Sequence, residues 1–139
     1  MSEFPQRHAI ARAEFFLALA ERCDVQNRQD FEAFLEAAII FARTAIHRLQ
    51  TQCKCHPEWA SWFASIKQDP AVCFFWDQRN FILKEGPPKM GQVISFNPVS
   101  RAAELYYFES PSVDAAATVR KHLRSLATTI SEAEKRFSQ

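Results

Sequence analysis

Between residues 28 and 52 the chain places Phe31, Phe34, Leu35, Ala38, Ile39, Ala42, Ile46 and Leu49 three or four positions apart. An α-helix brings residues at that spacing onto one face. At 3.6 residues per turn this helix runs for about seven turns. A face of that length must be covered by other helices, so it forms the spine of a bundle. The scarcity of glycine points the same way. Only Gly86 and Gly91 occur in 139 residues, and they bracket one loop.

The other elements follow from stops and stripes. Pro5 opens a helix over residues 5–22, with Ala9, Ala13, Phe16, Leu17 and Ala20 on one face. Residues 23–27 form a short connection. Cys53-Lys54-Cys55-His56-Pro57 interrupts the long helix. A third helix over residues 57–67 turns Trp59, Trp62, Phe63 and Ile66 inward. Asp69 is suited to an N-cap and Pro70 to the first helical position. Gly86 suits the C-terminal stop, and Pro87-Pro88 prevents continuation. These stops fix a fourth helix. Residues 86–100 read as a Pro/Gly loop in which Val93-Ile94-Ser95-Phe96 pairs as a short strand. Ala102, Leu105, Tyr106 and Phe108 suggest a short helix over residues 99–109. The last helix runs from about 112 to 137, with Val113, Ala116, Val119, Leu123, Leu126, Ile130, Ala133 and Phe137 buried. The expected fold is mostly all-α. It is a single domain over residues 1–139, an antiparallel bundle of about five helices, with a Pro/Gly loop that holds a short β-strand or hairpin.

Composition narrows the function. The chain is 47% hydrophobic and has 13 Phe and 3 Trp, enough for a real core. Its charges nearly cancel, with 17 basic and 16 acidic residues interleaved, for a net charge of +1. Charge alone therefore gives no argument for nucleic acid or for a membrane surface. Met1-Ser2-Glu3-Phe4-Pro5 lacks a basic stretch followed by an apolar one, so no secretory leader is expected. No apolar run is longer than that of residues 37–42, which is too short to span a bilayer. A cytoplasmic protein with no membrane partner and four free cysteines is the expectation.

Arg79-Asn80 lies in the middle of the fourth helix, within a very apolar segment. Val72, Phe75, Trp76, Arg79 and Leu83 share one broad face. Cys73, Asn80 and Lys84 lie on an adjacent stripe with Trp76. Arginine carries five donors and no acceptor, so Arg79 needs carboxylates, carbonyls or a ligand anion. One reading is a structural arginine that bridges to Glu36 or Glu32 on the long helix. The other is an anion or phosphate site.

Arg79-Asn80-Phe81-Ile82-Leu83, set late in a helical bundle with a long second helix, resembles the HEPN superfamily (higher eukaryote and prokaryote nucleotide-binding domains). The string through Lys84-Glu85-Gly86-Pro87 looks like bacterial HEPN-like proteins of unknown function. The resemblance implies a four- or five-helix bundle. In active members it implies a metal-independent ribonuclease that pairs two Arg-Asn-x-x-x-His motifs across a homodimer. Here Lys84 stands where that histidine belongs. Histidine moves protons near neutrality with a reference pKa of about 6.5, whereas lysine lies near 10.4. The expected function is therefore a non-catalytic HEPN-like protein. It would bind an anionic ligand, a nucleotide or RNA, or a partner around Arg79, Asn80 and Lys84. A ribonuclease using Lys84 and a purely structural or interaction module are the alternatives.

Other constellations are weaker. Arg43 and His47, one turn apart on the long helix, supply the missing imidazole if that helix faces Arg79; otherwise they form a solvated stripe. Cys53-Lys54-Cys55-His56 is tighter than usual zinc spacing and has no second pair, so no metal is expected. Arg120-Lys121-His122-Arg124 reads as a solvated basic face. Tyr106-Tyr107-Phe108 is either core or part of a homodimer interface. Gly86-Pro87-Pro88-Lys89-Met90-Gly91 is not a phosphate loop, no dinucleotide or hydrolase fingerprint appears, and no cofactor is expected.

Overall fold

The computed structural model describes residues 4–23, 27–97 and 101–137. It contains five helices and one hairpin in the order α1 (Pro5–Glu21), α2 (Arg28–Cys53), α3 (Trp59–Ile66), α4 (Pro70–Glu85), β1 (Gly91–Asn97), β2 (Arg101–Tyr107) and α5 (Ala115–Phe137). This is the mostly helical bundle that the apolar periodicity requires.

Local chemistry sets the helix ends. At α2 the Asn27 side chain accepts from the Asp30 backbone N–H, and its amide donates back to the Asp30 carboxylate at 2.8 Å. At α4 the Asp69 carboxylate accepts from the N–H groups of Ala71 (2.8 Å) and Val72 (3.4 Å), satisfying two otherwise orphaned donors. Gly86 closes the other end of α4 at φ 123°, which disfavours a side chain. Asp114 accepts from Ala116 N at 2.6 Å and starts α5 there. Val113, expected in the buried stripe, therefore lies before the helix and is exposed.

Side-chain pairs give the helix directions. Arg48 near the end of α2 donates to the Pro5 carbonyl at the start of α1, so α1 and α2 are antiparallel. Arg7 and Gln6 meet Glu134 while Arg120 meets Glu21, so α5 also runs antiparallel to α1. α4 lies against α2, and α5 packs on α1, α2 and α4. The core is Leu17 of α1, Leu35, Ile39, Ile46 and Leu49 of α2, Phe75 of α4 and Val119, Leu123 and Leu126 of α5, all fully or almost fully buried. Trp59 and Phe63 of α3 stack at 5.2 Å and close one end.

The expected strand is present as β1. The short helix expected after it is not. Residues 99 and 100 lie outside the described residues, but Arg101–Tyr107 is strand β2, antiparallel to β1 with Gly91 opposite Tyr107 and Asn97 opposite Arg101. Ala102, Leu105 and Tyr106 have helical spacing, but β1 offers the backbone partner that decides the issue. Tyr106 is buried and stacks on Phe31 of α2 at 5.8 Å. Phe108 meets Phe74 of α4 edge-on at 5.0 Å. The hairpin is thereby tied to both sides of the bundle, and it continues from the stop that ends α4.

Candidate functional site

α2 and α4 face each other across the positions that carry Arg43 and Arg79. Arg43 does not belong to a solvated stripe. It is half-buried, and its guanidinium carbon lies 4.0 Å from the centre of the Trp76 ring. Its Nη1 is buried and has no hydrogen-bond partner. Burial, and secondarily the charge of Arg79, pulls the Arg43 pKa below its ordinary value. Arg79 on α4 is thus near enough for its charge to act on Arg43 of α2.

Among the described residues, neither Arg43 nor Arg79 has a salt bridge within 4.0 Å. The structural bridge to α2 is not formed: Glu32 pairs instead with Arg28 at 2.8 Å on its own helix, and Glu36 makes no ion pair. Asn80 is half-buried beside Arg79, while Lys84 is exposed one turn further on. His47 is exposed and makes no hydrogen bond to Arg79. The structure therefore sets Arg43 on Trp76, within range of the charge of Arg79, and the role of Trp76 as the cover of Arg43 is what the sequence reading missed. The available signal was Trp76 one turn before Arg79 on the same helix face.

The remaining polar groups are satisfied in other ways. His122, read as part of a solvated basic face, is only 4% exposed. It stacks on Phe74 at 4.5 Å and shares a 2.9 Å hydrogen bond with Glu109. Lys121 also donates to Glu109 at 2.9 Å. The bonds from Lys121 and then His122 hold the Glu109 carboxyl below its ordinary value. Glu134, 6% exposed, accepts from Gln6 at 2.9 Å and from Arg7 at 2.7 Å. Among the described residues Gln6 Oε1 is the other buried side-chain polar atom without a partner, and it belongs to this neutralised cluster. Arg43 differs because its orphan is a charged donor beside a second cation.

The Cys53-to-His56 segment does not converge. Cys53 is buried, and burial, with a smaller effect from Glu134, pushes its thiol up, away from the thiolate that binds metal. Cys55 is exposed, and His56 packs edgewise on Phe137 at 4.8 Å. Among the described residues no group of three His, Cys, Asp or Glu side chains gathers as a metal site. No helix among them is long and apolar enough to cross a membrane.

Comparison of the chain with family models, with curated proteins and with solved structures returned no match. The geometry of the α2–α4 face therefore carries the functional argument.

Proposed function

We propose that this chain is a HEPN-like bundle that binds an anionic ligand, the phosphate of a nucleotide or of RNA, between α2 and α4. Arg43 and Arg79 supply the charge, and Asn80 supplies an amide beside them. The observation that carries the reading is the Arg43 guanidinium: half-buried, with one N–H lacking an acceptor, and set against a second arginine. A buried charged donor without an acceptor is costly in a folded protein. An oxyanion offers the missing acceptor and offsets both positive charges at once. Binding is favoured over turnover because no histidine hydrogen-bonds to Arg79 among the described residues, and Lys84 occupies the position of the motif histidine.

The test is fluorescence anisotropy with a labelled single-stranded RNA oligonucleotide, repeated with a labelled nucleotide. Arg43→Gln and Arg79→Gln keep a polar side chain of similar length and remove the charge. Each is expected to weaken binding about ten- to hundredfold, the worth of one charge-assisted hydrogen bond. Circular dichroism is expected to remain unchanged. Binding by the double variant equal to that of the unaltered chain would sink the reading, as would no binding by the unaltered chain. Metal-independent cleavage of the RNA would replace it with the ribonuclease alternative.

A further inference from the structure

Trp76 is placed unlike the other two tryptophans. Trp59 and Trp62 are wedged together at 5.3 Å and both touch Phe137. Trp76 is 41% exposed, contacts no other aromatic ring among the described residues, and donates no hydrogen bond from its indole. Its one polar contact is the face it lays on Arg43. Trp76 also lines a cleft of about 260 Å³ between α3 and α4, together with Phe63, Lys67, Val72, Cys73 and Asp77. A benzene ring is accommodated in about 150 Å³, so the cleft has room for an indole.

We infer that Trp76 is a movable lid on the proposed anion site. In the closed arrangement its ring covers Arg43. In the open arrangement it turns into the α3–α4 cleft, and an oxyanion takes its place on Arg43 and Arg79. The inference rests on the anion-binding reading and adds how the site is regulated. Arg43 Nη1 is buried without an acceptor, so an anion that displaces the ring and reaches Arg43 gives that donor the partner it lacks. An aromatic residue on a helix has two favoured χ1 positions, and an exposed one exchanges between them quickly. A charge-assisted hydrogen bond to an anion is stronger than a cation–π contact, so the anion drives the exchange. The lid also screens Arg43 from weakly held anions, because opening must first break the Trp76–Arg43 contact.

Inorganic phosphate, titrated into ¹⁵N-labelled protein, is the probe. The Trp76 indole N–H signal is identified by its loss in Trp76→Phe. It is expected to shift with phosphate, while the Trp59 and Trp62 signals stay in place. Trp76→Ala removes the lid and is expected to bind phosphate about five- to thirtyfold more tightly, the equilibrium counterpart of a partly desolvated cation–π contact. Trp76→Phe, which keeps a smaller ring and protects against misfolding of the alanine variant, is expected to lie between the two. Equal or weaker binding by both variants overturns the lid and leaves the anion site standing. No titration by the folded unaltered chain or by either variant overturns the anion site and the lid together.

Discussion

Replacing Arg43 by methionine is expected to stabilise the protein. Arg43 has a buried N–H without an acceptor, a defect that costs about 1–3 kcal/mol. The substitution also relieves the repulsion from Arg79. Against these gains stands the cation–π contact with Trp76, about 1 kcal/mol at a partly buried site. Methionine keeps an unbranched apolar stem and a sulfur that packs well on an aromatic ring, so most of the contact area survives. The net gain is about 1 kcal/mol, which for a domain of this size raises Tm by roughly 3–5 °C. Urea unfolding followed by tryptophan fluorescence measures it, with calorimetry as the second reading. The slope of the urea transition should not change, because the surface exposed on unfolding is nearly the same. A loss of about 1 kcal/mol or more would show that the guanidinium is net stabilising in the free protein. The case for a retained binding group would then fall.

Two other substitutions test the frame around the site. Asp69→Ala removes both cap bonds at the start of α4 and is expected to cost about 1 kcal/mol, read as a lower urea midpoint; an unchanged midpoint would mean that the cap does not hold α4. Glu109 has a folded pKa lowered first by Lys121 and then by His122, so its contribution is complete above the unfolded glutamate value of about 4.3 and disappears as pH falls through the lower folded value. Its carboxylate is 46% exposed, so the contribution stays under about 1 kcal/mol and weakens with salt. Acid unfolding of Glu109→Gln should separate from the unaltered chain above that window and merge with it below. Curves that remain apart at the acid end would contradict the assignment.

Much of the fold was legible because its determinants are local. The Asp69 cap, Pro70 and Gly86 define α4 without reference to any other element, and the α2 periodicity is strong enough to set its length. Strand β2 was misread because its small and aromatic residues suit either backbone, and the choice belongs to β1, its partner across the hairpin. The site was half legible. Arg79 stood out as a charge in an apolar helix, but its neighbour Arg43 sits on another element. Whether an arginine 36 positions earlier is solvated or pressed under Trp76 depends on helix packing. His122 was recoverable: it falls between Val119 and Leu126 at helical spacing, within the buried stripe of α5, and the basic residues around it hid that.

Gln6 and Arg7 in the first turn of α1 bond Glu134 near the end of α5, 128 and 127 positions away. α1 and α2 are consecutive and pair as soon as both have been made. α4 and Tyr106 then cover part of α2, and the rest of the α1–α2 surface waits for α5. At synthesis rates of roughly 5–20 residues per second, that wait is on the order of ten seconds. During it the face of α1 that α5 covers is open, and Gln6 and Arg7 are without their partner Glu134. α5 is thus the helix that joins both ends of these 139 residues and completes the bundle.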